Sequence, residues 1–111
     1  MINRIQRVNQ LIKKELALVL LREVDFPEKT LVTLTRVETS VDLQQAKIYI
    51  SAIPENQILR VLQVLNSQIY RLQQSLNKRL KMKQIPRIKF AEEKETRQAG
   101  RIEEILEELK K

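Results

Sequence analysis

A run of basic side chains in the second half of the chain is the feature of this sequence most able to do chemistry. Between Asn56 and Ala91 there are eight lysine or arginine residues and no aspartate or glutamate. The chain has a formal net charge of +7, and nearly all of that excess comes from this third of the sequence. A positive field this concentrated attracts a polyanion, and nucleic acid is the first candidate. The basic residues of the run are Arg60, Arg71, Lys78, Arg79, Lys81, Lys83, Arg87 and Lys89.

Two other interpretations of the basic run remain open at this point. A charged run is often only a solvated helix face that keeps a protein in solution. The run could also meet an acidic protein, in which case the chain is a protein–protein interaction module. Salt dependence does not separate RNA from an acidic protein, but affinity for bare structured RNA does.

The residue types that the chain lacks exclude several classes of function. There is no histidine and no cysteine, which excludes the usual zinc sites and also Cys–His and Ser–His catalysis. Gly100 is the only glycine, so the sequence has no P-loop, no dinucleotide fingerprint and no GxxG clamp of standard KH domains. The only aspartates, Asp25 and Asp42, sit in different segments and do not suggest a magnesium site. We therefore expect a protein that is not an enzyme and that uses no metal or cofactor.

Length and hydropathy place the chain in a broad class. The 111 residues predict one domain over residues 1–111. There is no run of about 18 apolar residues, and the first residues lack the apolar stretch of a secretory signal. The absence of cysteine gives no indication of an oxidising compartment. We expect a cytoplasmic protein.

Hydrophobic periodicity predicts the elements that must position the basic residues. Residues 3–23 repeat apolar side chains every three or four positions, which predicts a helix with Asn3 as its N-cap. Residues 31–40 are rich in β-branched side chains, and residues 45–51 alternate between apolar and polar. These two segments predict an antiparallel hairpin with Lys47 on the face away from the core.

The segment 58–80 predicts one long amphipathic helix or two helices in line, because apolar side chains recur along it every three or four positions. We expect any bend at Asn66-Ser67, whose side chains compete for backbone hydrogen bonds, and the end of the helical stretch at Pro86. The heptad-like pattern also allows a coiled-coil dimer. The apolar face is wider than a coiled-coil seam, however, and suits packing against a sheet.

The remaining segments complete an α+β domain. Residues 87–91 alternate again and predict a third strand, parallel to the second because a helical crossover joins them. Residues 95–111 predict a C-terminal amphipathic helix that is prone to fray. Helices packed on one face of a small sheet form a single domain.

Five blocks of residues occur in a distinctive order. In chain order they are Arg4, Arg7 and Val8 with ELALVLLREVD; Thr33, Thr35, Val37, Glu38, Ser40, Asp42 and Leu43; AKIYIS at 46–51; LNKRLKMKQIPRIKF at 76–90; and Gly100-Arg101-Ile102. Together they resemble the ribosome-binding factor A family, assembly factors of the bacterial small ribosomal subunit. The resemblance implies a KH-like fold of type II topology, binding to ribosomal RNA of the immature small subunit near its neck, help in late maturation, and no catalysis.

The sequence departs from the family pattern at two turns. Members usually carry an Ala-x-Gly step that kinks the second long helix. Aligned back from Pro86, this step falls at Gln68-Ile69-Tyr70, where there is no glycine. The kink is therefore kept by other residues, moved to Asn66-Ser67, or lost. The Asp-Pro-Arg turn of many members is replaced by Asp25-Phe26-Pro27-Glu28.

Charge and resemblance together indicate which side chains contact RNA. Lys and Arg neutralise phosphates and release counterions, and arginines such as Arg79 and Arg87 can contact a phosphate in bidentate fashion. We expect Phe90 to pack in the core and Tyr49 to be a satisfied surface tyrosine, so recognition rests on shape and backbone charge. A monomer is sufficient for this function. The expected RNA-binding residues are Arg4, Arg7, Lys47, Arg71, Lys78, Arg79, Lys81, Lys83, Arg87 and Lys89.

Overall fold

A computed structural model describes residues 3–94 of the chain. The predicted helix over residues 95–111 lies outside the described residues. Within residues 3–94, no helix combines the length and apolar character needed to cross a membrane. The elements are α1 (Arg4–Glu23), β1 (Leu31–Thr39), β2 (Gln45–Ile53), a 3-10 turn (Glu55–Gln57), α2 (Ile58–Ser67), α3 (Ile69–Arg79) and β3 (Arg87–Glu92).

Helix α1 begins where the sequence predicts it. The Asn3 side chain accepts a hydrogen bond from the Gln6 backbone N–H (2.8 Å), and the Gln6 side chain accepts one from the Asn3 backbone N–H (3.1 Å). This reciprocal capping box satisfies two of the N–H groups that a helix start otherwise leaves unpaired. The predicted apolar stripe is buried at Val8, Ile12, Leu16 and Val19.

The three strands form one sheet in the order β1-β2-β3. Strands β1 and β2 are antiparallel, and β2 and β3 are parallel, so the predicted hairpin and the predicted parallel crossover are both confirmed. Ala46, Ile48 and Ile50 of β2 are buried on the face that the helices cover. Lys47 and Lys89 lie opposite each other in the β2–β3 register and are exposed on the other face.

The helical crossover is broken between α2 and α3 at Gln68, one residue after the predicted bend. Gln68 has φ −117° and ψ 12°, a conformation with negative φ that needs no glycine, so the break survives without the family's glycine step. Leu65 before the break and Leu72 and Leu76 after it are fully buried. The apolar stripe therefore packs within the domain and is not a free coiled-coil seam.

The prediction that the helix continues to Pro86 is wrong, because α3 ends at Arg79 and residues 80–86 are irregular. Leu80 is extended (φ −103°, ψ 132°) and buried, and Met82 and Ile85 pack against the same core. On a continued helix, at about 100° per residue, Met82 and Ile85 would point well away from the stripe that contains Leu80. Leaving the helix allows all three apolar side chains to reach the core.

Candidate nucleic-acid interface

A groove at one end of the sheet collects basic side chains from two distant parts of the chain. It lies between the start of α1, the β1–β2 turn and the segment that follows α3, and has a volume of about 640 Å³. Arg4 and Arg7 come from α1, and Lys81 and Lys83 come from the segment after α3. All four are exposed. We call this surface the basic groove; its lining is completed by Val8, Leu11, Asp42, Leu43, Met82 and Gln84.

The β1–β2 turn that forms one wall of the basic groove is held by its own side chains. Asp42 Oδ1 accepts hydrogen bonds from the Ser40 hydroxyl (2.6 Å) and from the Gln44 backbone N–H (3.1 Å). These two bonds hold the pKa of Asp42 below its usual range, so its carboxylate is charged at neutral pH. Leu43 has φ 61°, the left-handed region that is costly for a branched residue. The bond from the Leu43 N–H to the Ser40 carbonyl (2.9 Å) helps hold it there.

The side of the turn next to β1 is tied to α1 through one asparagine. Asn9 Oδ1 accepts a hydrogen bond from the Thr39 backbone N–H (2.9 Å) and another from the Thr39 hydroxyl (2.5 Å). Thr39 is the last residue of β1, immediately before the turn. This contact fixes the distance between the first turns of α1 and the β1–β2 turn, which are two walls of the basic groove.

Two smaller depressions lie next to the basic groove. The first shares Gln84 with the groove and is lined by Gln44, Gln45, Ile85 and Arg87. The second shares Gln45 with the first and contains Lys47 and Lys89. Shared lining residues therefore link the three depressions, whose lining also includes Glu38, and seven of the ten predicted residues line them. They are Arg4, Arg7, Lys47, Lys81, Lys83, Arg87 and Lys89.

The other three predicted residues are on α3, and two of them are used within the protein. Arg71 Nη2 donates to the Glu23 carbonyl (3.0 Å), and Arg71 Nη1 lies 3.6 Å from Glu23 Oε1. Arg79 Nε donates to Glu15 Oε2 (3.1 Å). These contacts join α3 to α1, so the predicted bidentate phosphate contact of Arg79 competes with an existing ion pair. Lys78, in the last turn of α3, is exposed.

The aromatic residues do not form a base-stacking platform on the sheet. The Arg36 guanidinium lies 3.7 Å from the centroid of the Tyr49 ring, and the Tyr49 hydroxyl donates to Glu38 Oε2 (3.0 Å). Burial, followed by the bond to Glu38, raises the pKa of Tyr49. Phe90 is buried in the core. The expectation for Phe90 is confirmed, whereas Tyr49 is half-buried with its hydroxyl hydrogen-bonded and is not a fully exposed surface residue.

A buried carboxylate near the end of β3 was not found by sequence reasoning. The Glu93 side chain has no exposed surface, and it accepts hydrogen bonds from the Thr35 hydroxyl and from Arg36 Nε, both at 2.7 Å. These bonds reach β1 at the irregularity between Leu34 and Arg36. The bond to Glu93, supported by one to Glu38, raises the pKa of Arg36. Glu93 stands next to other glutamates in the sequence, and nothing there distinguishes it as the buried partner of Thr35 and Arg36.

The order of the elements and of the strands in the sheet defines the fold class of this protein. Helix, two antiparallel strands, a broken helical crossover and a parallel third strand form a KH-like α+β domain of type II topology. The only glycine in the chain is Gly100, so this domain has no GxxG loop. The model of the family described as ribosome-binding factor A matches residues 4–106, and the chain belongs to this family.

Individual relatives agree with this assignment. A ribosome-binding factor A from Thermodesulfovibrio yellowstonii is 34% identical over 108 residues, which cover 97% of this chain and 92% of the relative. The crystal structure of ribosome-binding factor A from Thermus thermophilus superposes with a TM-score of 0.61 at 27% identity, covering 75% of this chain and 87% of that one. A homology model of the Thermus thermophilus protein, fitted into a cryo-electron microscopy map of its complex with the 30S subunit, gives a TM-score of 0.60 at 27% identity. That match covers 75% of this chain and 88% of the fitted one.

Proposed function

We propose that this protein is a non-enzymatic assembly factor that binds ribosomal RNA of the immature small ribosomal subunit near its neck and assists late maturation of the subunit. It acts in the cytoplasm as a monomer. The observation that carries the proposal is the basic groove with the two depressions next to it, which are lined by seven lysine and arginine side chains from separate segments. The Thermus thermophilus relative, which has the same fold, has been fitted into a 30S complex.

The physical basis of binding is the release of counterions. Each lysine or arginine that neutralises an RNA phosphate frees condensed counterions, which favours binding strongly at low salt. Because the groove is concave and its cations come from both sides, it can contact several phosphates of a folded backbone at once. This arrangement positions the protein on RNA by shape and charge, without a need for chemistry on the RNA.

The competing interpretation, a module that dimerises or binds an acidic protein through the basic helix, has less support. Among residues 3–94, the apolar stripe of α2 and α3 is already buried against the sheet and α1. Two of the arginines on α3, Arg71 and Arg79, hold α1 in place. The stripe needed for dimerisation is therefore already used within the domain, and two of the basic residues that an acidic partner would need are already paired.

The proposal is tested by co-sedimentation with immature and mature small subunits over a range of salt concentrations. We compare the wild type with a variant carrying Arg7→Glu, Lys81→Glu and Lys83→Glu in the basic groove. We expect the wild type to pellet with the immature subunit and the groove variant to remain in the supernatant. On bare structured RNA, the slope of log affinity against log salt should decrease by about 2–3.

A charge-matched variant controls for net charge. Lys13→Glu, Arg22→Glu and Arg60→Glu change three exposed residues that do not line the basic groove or the two depressions next to it, and the total charge change is the same. This control should bind nearly as well as the wild type at moderate salt. If it loses binding as completely as the groove variant, the interaction depends on net charge and the groove is not the interface. If the wild type stays in the supernatant at low salt, the ribosomal assignment fails and an acidic protein partner becomes the better hypothesis.

A further inference from the structure

The basic groove contains chemistry that phosphate binding does not need. Four of its lining residues, Val8, Leu11, Leu43 and Met82, are apolar, and they lie among the four cations. Leu11 keeps 39% of its surface exposed although the neighbouring core residues are buried. A phosphate is fully hydrated and gains nothing from an apolar wall, whereas an unstacked base buries its faces against one.

The groove is large enough to hold one nucleotide. Its volume of about 640 Å³ is within the roughly 300–1,000 Å³ of pockets that hold small molecules. Two of its three walls are joined, since Asn9 ties Thr39 to α1 and Leu43 is held at φ 61° in the turn. A concavity lined by both apolar side chains and cations has the composition of a nucleotide site.

A carboxylate inside the groove adds a second signal. Asp42 is exposed and repels phosphate, so it does not contribute to backbone binding. Its Oδ1 is occupied by the bonds from Ser40 and Gln44. Because both of these bonds go to Oδ1, neither of them blocks the approach of a ligand to Oδ2. A carboxylate and ammonium groups that line one groove suit a ligand edge that places N–H donors next to a carbonyl oxygen.

We propose that the basic groove binds one unpaired guanosine of single-stranded RNA and that Asp42 reads its base; this inference rests on the proposed RNA-binding function. The base packs against the apolar lining residues. Its N1–H and 2-amino groups donate to Asp42 Oδ2, and its O6 accepts from the ammonium group of Lys81 or Lys83. The neighbouring phosphates contact Arg4 and Arg7. Guanine is favoured because it presents two N–H donor groups on that edge, whereas adenine, cytosine and uracil each present one.

The test measures fluorescence anisotropy of labelled six-nucleotide RNAs that contain one central guanosine, inosine, adenosine or uridine in an otherwise all-uridine strand. We expect the wild type to bind the guanosine strand about tenfold more tightly than the all-uridine strand. Inosine lacks only the 2-amino group, so its strand should bind with intermediate affinity. The inosine comparison uses the unaltered protein and does not depend on the folding of any variant.

Asp42→Asn gives the sharper comparison. Asparagine keeps an oxygen that can accept the bonds from Ser40 and Gln44 but places a donor NH₂ where Oδ2 was. We expect the preference for guanosine to fall below twofold while affinity for the all-uridine strand is unchanged or rises. Asp25→Asn changes the only other aspartate, which is exposed and does not line the groove, and should keep the full preference.

Failure of this inference and failure of the proposed function give different results. Equal binding of the four strands by the wild type, or a guanosine preference that persists in folded Asp42→Asn, overturns the reading of a base by Asp42. If the wild type still pellets with immature subunits in that case, the proposed function stands. If it binds neither the RNA strands nor the subunits, both proposals are wrong.

Discussion

Replacing Leu65 with alanine is expected to lower the free energy of unfolding by about 2–5 kcal/mol. Leu65 is fully buried near the end of α2, the helix that packs on β2 and β3. The substitution removes its side-chain contacts and leaves a cavity that the sheet and helices cannot fully close. A loss of this size is a large share of the roughly 5–15 kcal/mol that typically stabilises a domain. Urea denaturation followed by far-ultraviolet circular dichroism measures the change.

The matched control for this substitution is on the same helix. Leu59 is 71% exposed, so Leu59→Ala removes the same atoms without creating a cavity. We expect a change within about 0.5 kcal/mol of the wild type. Similar losses for the two variants would mean that the substitution acts through helix propensity or the unfolded chain, and that α2 does not pack as described.

Replacing Glu93 with alanine is expected to cost about 2–3 kcal/mol, below the roughly 3–5 kcal/mol of a fully buried ion pair. The Glu93 carboxylate is completely buried, whereas Arg36 keeps 31% of its side chain exposed and also contacts Glu38. Hydration of Arg36 and its remaining contacts with Glu38 and Tyr49 therefore reduce the loss of stability. Thermal unfolding and hydrogen exchange of the β1 amides near the irregularity at Thr35 report the effect.

A more conservative variant separates charge from packing in this network. Glu93→Gln keeps the shape and one acceptor for the Thr35 hydroxyl but removes the negative charge beside Arg36. We expect the free energy of unfolding of Glu93→Gln to lie between those of the wild type and Glu93→Ala. The cycle that combines Glu93→Ala with Arg36→Ala should show a favourable coupling of more than about 0.5 kcal/mol. Additive effects would show that the two side chains do not stabilise each other.

The elements of the fold were predictable because burial imposes a period on the sequence. The alternation that contains Ile48 and Ile50 predicts a strand with one buried face. The apolar stripe through Leu65 and Leu72 predicts a helix that packs against that face. The error after Arg79 arose because Leu80 continues the helical stripe. Periodicity alone cannot show that burying Met82 and Ile85 stabilises the chain more than extending the helix would.

The candidate site was predictable in composition but not in geometry. The basic segment contains no carboxylate of its own, but the fold brings carboxylates from distant parts of the chain next to it. Arg71 meets Glu23 across 48 residues, and Arg79 meets Glu15 across 64. The same long-range folding brings Arg4 and Arg7 to Lys81 and Lys83. Glu93 was missed for the same reason, since its partners are 57 and 58 residues away.

The parallel pairing of β2 with β3 has a consequence for the synthesis of the protein. Gln45 pairs with Arg87, so the ribosome must add 42 more residues (87 − 45) after Gln45 before this pair can form. At a translation rate of about 5–20 residues per second, this delay is about 2–8 s. During that time β2 is a temporary edge strand, open to pairing with other nascent chains. Lys47, near the start of that strand, is a charged side chain of the kind that discourages such pairing.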